Sequence, residues 1–142
     1  MAGSTDPVII IHSLGQAIAA LTAAARAGHP IVLASAPDAG GSVGPGWFGA
    51  LVAAAREAVP EARFRTLLDC GDNVGAALAA IRSEIEGIVF IGQADVARRL
   101  ADIARQHGVL FGEERPAAAL DLGEDLFASR ESVERRCVEF LR

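Results

Sequence analysis

The chain has 142 residues, 51% of them hydrophobic and 22% charged, and carries a formal net charge of −5. That is one domain of ordinary size, 1–142, with enough apolar content for a core, and it excludes a disordered chain. All 13 basic residues are arginines scattered among acids, so the clustered positive surface that nucleic acid requires is missing.

The chain contains neither lysine nor tyrosine. Without lysine, Schiff-base and pyridoxal-phosphate chemistry and the lysine of a P-loop are excluded, and no cofactor or metal is named by any motif. Cys70 and Cys137 have no metal-type spacing and form no disulfide framework. Residues 1–7 lack the charged and apolar regions of a signal peptide, and the strongly apolar runs are far too short to cross a membrane. A cytoplasmic location is the expectation. About a fifth of the residues are alanine. The mean hydropathy of +0.33 is high for a small monomer and points to surface shared with a second copy, a homo-oligomer.

In chain order, Val8-Ile9-Ile10-Ile11 is a continuous β-branched run, as in a strand buried on both faces. Ser13 with Gln16 three residues on reads as a capping box, Leu14, Ile18 and Leu21 recur at helical spacing, and Gly28 ends that helix. Ile31 to Ala34 is a second strand. The glycine-rich stretch from Ala36 to Gly46 reads as a long loop, followed by a helix from Pro45 or Gly46 with Phe48, Leu51, Val52, Ala55 and Val59 on one face. Phe64 to Leu68 is a third strand. Asp72 or Asn73 caps a helix carrying Val74, Leu78, Ile81 and Ile85, closed by Gly87. Ile88 to Ile91 is a fourth strand. Asp95 lies near the start of a helix with Val96, Leu100 and Ile103, which ends at His107-Gly108. Val109 to Phe111 is a fifth strand, and Ala117 to Leu122 a weaker sixth. Ser129 caps a final helix with Val133, Cys137, Phe140 and Leu141 inward.

Strands alternating with helices at the spacing of βαβ units predict an α/β domain with a mostly parallel five- or six-stranded sheet flanked by helices. Two arrangements fit. The preferred one is a flavodoxin-like, doubly wound open sheet. The alternative is a partial (β/α) barrel, which leaves two strand edges to protect.

Open parallel sheets bind ligands at the carboxyl ends of their strands. In the flavodoxin-like order 2-1-3-4-5, the first and third strands are neighbours, so His12 is expected beside Asp69 and Cys70. His12 is then a general base or metal ligand, Asp69 an orienting or metal-binding carboxylate, and Cys70 a nucleophile if its thiol is activated. Ser35, Asp38, Ser42, Gly44, Gly46, Trp47, Asp72 and Gln93 are nominated as ligand-binding residues around the same mouth. The glycine stretch leading into a helix suits an anion, because unpaired N–H groups gather there. Gly44-Pro45-Gly46-Trp47-Phe48-Gly49 matches G-x-G-x-x-G formally. It follows the second strand at a distance and contains a proline, so it is not a dinucleotide fingerprint.

A response-regulator receiver would have an acceptor aspartate where Asp69 stands, but also acids where the chain has His12-Ser13, and a lysine. That reading fails. The rhythm from Ala53 to Gly108, with Ala-Arg-Glu-Ala-Val-Pro, strand, alanine-rich helix and strand, resembles barrel aldolases of the 2-keto-3-deoxy-phosphogluconate type. Their catalytic lysine has no counterpart, so the resemblance implies at most a shared fold over well under half the chain. Two functions follow as expectations: a small anionic-ligand site at the strand ends, with or without catalysis, and a non-catalytic homo-oligomeric interaction or regulatory module.

Overall fold

The structure is a computed structural model that describes residues 5–142. The reading of residues 1–7 as lacking a signal peptide falls largely on residues 1–4, outside the described residues. The strands are β1 (Val8–Ile11), β2 (Ile31–Ser35), β3 (Phe64–Asp69), β4 (Gly87–Val89), β5 (Leu110–Gly112) and β6 (Ala119–Asp121). The helices are α1 (Leu14–Ala27), α2 (Ala39–Ser42), α3 (Gly44–Ala58), α4 (Val74–Arg82), α5 (Ala94–Gln106) and α6 (Arg130–Phe140). The domain is α/β, with all six strands parallel in one sheet flanked by helices, as the alternation predicts.

The strand order is β5-β4-β3-β2-β1-β6. This corrects the expected order 2-1-3-4-5. From β1 to β5 every crossover steps the same way, and β6 returns to the far side of β1. Right-handed crossovers that step in one direction leave successive helices on one face. The packing agrees: Ile9, Ile11, Ile31 and Leu33 bury against α1, α3 and α6, while Leu68, Ile88 and Phe90 bury against α3, α4 and α5. The alternate residues Val8, Ile10, Val32, Ala34, Leu67 and Val89 form a separate apolar cluster that includes no helix residue.

The connection from β5 to β6 requires the sheet to curl. Residues Gly112 and Ala119 end and begin strands on opposite edges of the sheet. Seven chain steps reach at most about 25 Å, whereas five strand spacings in a flat sheet already take about 24 Å, before the chain returns to the start of a parallel strand. The helix-free segment Glu113–Ala118 therefore straps the concave face. The order is that of consecutive βα units laid side by side, with the sixth strand returned to the outer edge of β1.

Local chemistry explains several element ends. Ser13 Oγ accepts the Gln16 N–H at 3.2 Å, as a cap should. The expected capping box is altered: Gln16 Oε1 takes the N–H of His12 at 2.8 Å, and its Nε2 donates to the Leu122 carbonyl at 2.8 Å. Buried Gln16 thus ties β1 to the end of β6. Asn73, rather than Asp72, caps α4. Gly87 opens β4 instead of closing the preceding helix, and the stretch read as a loop from Ala36 to Gly46 contains the short helix α2. It folds because Gly40 can lie against the β3 end; a Cβ there would stand 2.8 Å from Cys70 Sγ and 3.1 Å from Cys70 Cα.

Candidate functional site at the strand carboxyl ends

Two polar clusters form at the carboxyl ends of the strands, and they do not share residues. His12 and Asp69 were expected to face each other. In the observed order β2 separates β1 from β3, and each residue has a different partner.

The first cluster joins β3, the α2 turn and the strap. Asp69, 6% exposed, accepts from Arg115 Nε at 2.7 Å and Arg115 Nη2 at 3.1 Å. Its Oδ1 also accepts the N–H groups of Asp38 and Gly71, each at 3.0 Å. Ser35 Oγ accepts the Asp69 N–H at 2.9 Å and donates to the Ala36 carbonyl at 3.0 Å. Asp38 sits in the left-handed region at φ +64° and pairs with Arg115 Nη2 at 3.2 Å. The hydrogen bond to Asp69 raises the Arg115 pKa above its ordinary value, against a desolvation cost, with the charges of Asp69 and Asp38 adding to it. Every oxygen of Asp69 is occupied. The cluster is a latch that holds the strap onto the sheet, with Ser35 and Asp38 as parts of it.

Cys70 is not set up as a nucleophile. It is buried at 1% exposure, and burial, then the negative Asp69, push its thiol up to about 12. Activation needs a cation or helix N-terminus that lowers the pKa. Cys137 is core, as its spacing predicts.

The second cluster lies at β1 and β6. His12 Nε2 meets Asp121 Oδ1 at 2.7 Å. A carboxylate only accepts, so Nε2 carries the hydrogen and a neutral ring presents Nδ1 as an acceptor. Nδ1 has no hydrogen bond to a described residue. The Gly123 N–H donates to the same Asp121 oxygen at 2.8 Å. Burial works to raise the Asp121 carboxyl, but the bonds from His12 and Gly123 and the charges of His12 and Arg136 outweigh it and hold it below its usual range. Side chains of His12 and Asp121 remain 25% and 53% exposed. The α1 N-terminus follows at once, and Arg130 Nη2 would lie 3.7 Å from a Cβ at Gly15.

Asp121 and Arg115 were missed from sequence. Asp121 was legible in principle, since it ends a strand in the stretch Ala117 to Leu122. Arg115, in a short acidic loop, carried no signal.

The remaining nominated residues spread around the same end. Ser42 closes α2, Gly44 and Gly46 lie in the first turn of α3, and Trp47 stands there 37% exposed. Asp72 and Gln93 share a groove of about 540 Å³ with Val74, Phe90 and Val96. A feature absent from the expectations is the apolar rim. Among the described residues, the exposed large hydrophobic side chains are Leu14, Val43, Trp47, Val74, Ile91, Leu126 and Phe127, the last 99% exposed. All of them lie in a strand-to-helix connection or the first turn of the following helix. In a parallel sheet those connections share one end.

Among the described residues, no group of three or more His, Cys, Asp or Glu side chains is placed to hold a metal ion. No described helix is long and apolar enough to cross a membrane. No protein-family model matches the chain, and no curated protein matches it in sequence.

Proposed function

We propose that the chain is an interaction module that self-associates through the carboxyl-terminal end of its sheet. The carrying observation is the one-sided distribution of exposed apolar side chains, from Leu126 and Phe127 beside β6, across Leu14, Val43, Trp47 and Val74, to Ile91 beside β4. Scattered exposed hydrophobics are ordinary, but a set confined to one end of the sheet is what an interface would use. A twofold pairing would set the same rim on both copies, which is the commonest oligomer geometry. The high mean hydropathy of +0.33 supports the same reading.

Sedimentation equilibrium from 1 to 500 μM (roughly the range of weak to moderate association) tests it. The wild type is expected to dimerise in that range, and the double variant Trp47→Glu, Phe127→Glu to stay monomeric with an unchanged circular dichroism spectrum. A wild type that remains monomeric at the highest concentration rejects self-association.

A second reading is favoured by the open His12–Asp121 pair. Its free Nδ1, the α1 N-terminus and Arg130 suit a small phosphate or carboxylate, with His12 moving a proton. His12 lines none of the four clefts described for this domain, so such a ligand would bind at the exposed face of the pair. Titrating inorganic phosphate while following the His12 ring signals by NMR decides this reading; unmoved signals at 20 mM, roughly the upper end of useful affinities, reject it.

A further inference from the structure

The helix-free face of the sheet holds a cleft of about 530 Å³ that runs from Asp6 and Val8 to Val89 and Gly112 at the ends of β4 and β5 and takes in Arg115 of the latch. Its walls are Val8, Val32, Leu67, Val89 and Phe111, and the strap segment Glu113 to Ala117 closes one side. Val32, Leu67 and Val89 lie beneath the cleft at 1%, 2% and 1% exposure, so its accessible apolar wall comes from half-buried Val8, Phe111 and Pro116 and exposed Ala117. The volume lies within the range that holds small organic ligands.

The charged groups at the mouth are Asp6, Glu113, Glu114 and Arg115. Arg115 is already committed to Asp69 and Asp38. The acids Asp6, Glu113 and Glu114 make no ion pair among the described residues. The cleft therefore joins an apolar wall to a negative entrance, and the occupant complementary to both has an apolar body and a positive head.

We propose that this concave face is a binding site for a small amphipathic organic cation, an aryl- or alkylammonium compound, with its apolar body against Val8, Phe111 and Pro116 and its ammonium group among Asp6, Glu113 and Glu114. Burial of the body supplies most of the affinity, and the acids select the sign of the head group. The site does not depend on the rim proposed for self-association, since the two share no residue.

The test uses three matched probes: 2-phenylethylammonium, 2-phenylethanol and 3-phenylpropionate, each titrated into the full chain and followed by amide NMR. The ammonium probe is expected to bind about tenfold tighter than the alcohol, with the carboxylate weakest. Shifts should map to Val8, Phe111 and Ala117. Glu113→Gln with Glu114→Gln should weaken the ammonium probe about three- to tenfold and leave the alcohol unchanged. Ala117→Trp, at an exposed position on the mouth, should abolish binding of all three while the spectrum stays that of the folded chain. Equal affinity for ammonium and alcohol, tighter binding of the carboxylate, shifts elsewhere, or no shift with the ammonium probe at 10 mM, roughly the weakest affinity of interest, each overturns the proposal.

Discussion

Arg115 grips Asp69 with two nitrogens, Nε to Oδ2 at 2.7 Å and Nη2 to Oδ1 at 3.1 Å, across 46 residues of chain. The pair joins the strap to the end of β3, and the strap is what covers the concave face. Asp69 is buried while the Arg115 side chain is 41% exposed, so removing the arginine strands a buried carboxylate. Arg115→Ala is expected to destabilise the domain by about 1–3 kcal/mol, a lost charge-assisted hydrogen bond plus partial relief by water. The midpoint of thermal unfolding should fall by roughly 3–5 °C per kcal/mol. The double variant with Asp69→Asn should lose less than the two single variants together, because they share one interaction. Strict additivity in a calorimetric double-mutant cycle would show that the latch contributes nothing as a unit.

The two turns beside the latch should respond oppositely to alanine. Gly71 has φ +54°, and a Cβ there would stand 1.8 Å from Asp38 Oδ1. Gly71→Ala is expected to cost about 1–3 kcal/mol, from left-handed strain and from displacing Asp38 off Arg115. Gly46 lies in the first turn of α3 with nothing within 4 Å of its Cβ direction. Gly46→Ala should be neutral or stabilise by about 0.5 kcal/mol through helix propensity. Urea unfolding of both variants checks the contrast, and similar losses at the two positions would refute it.

Alkaline stability offers an unusually clean measurement. With no lysine and no tyrosine, Cys70 and Cys137 are the side chains that titrate between about pH 9 and 12. Burial pushes Cys137 up to about 11 and Cys70 to about 12 from an ordinary 9.0. The unfolded chain therefore releases both protons from about pH 9 upward while the folded chain keeps them. Stability should fall as pH rises through that window, approaching about 1.4 kcal/mol per pH unit for each thiol. Replacing both cysteines by alanine leaves small cavities but should flatten the slope. Urea titrations at pH 8, 9, 10 and 10.5 read this directly, and an unchanged slope in the double variant would assign the effect elsewhere. Neither thiol should react with iodoacetamide at pH 8 until the domain opens.

The elements were largely legible from local pattern. Continuous Val, Ile and Leu runs marked the strands, although β2 and β4 are buried on both faces while Val8 and Ile10 of β1 stay half-buried, and Ser13, Gly28, Asn73 and Ser129 marked helix ends through short-range hydrogen bonding or backbone freedom. Asp69 and His12 stand at the carboxyl ends of β3 and β1, as the strand boundaries read from sequence place them. The stretch from Ala36 to Gly46 was misread because four residues of α2 have little helix propensity of their own. They are held by close packing of Gly40 on Cys70 and Gly41 on Asn73.

By itself, then, the sequence determined the α/β class, the parallel sheet, the core faces and the absence of lysine chemistry, since each depends on composition or on residues a few positions apart. The tertiary structure alone decided strand order, and with it every partnership at the strand ends. Parallel strands buried on both faces present similar apolar runs, and nothing local in β1 says whether β3 or β6 will lie beside it. That choice put Asp121 rather than Asp69 against His12, gave Asp69 to Arg115, left one face of the sheet without helices, and gathered the exposed apolar side chains at one end.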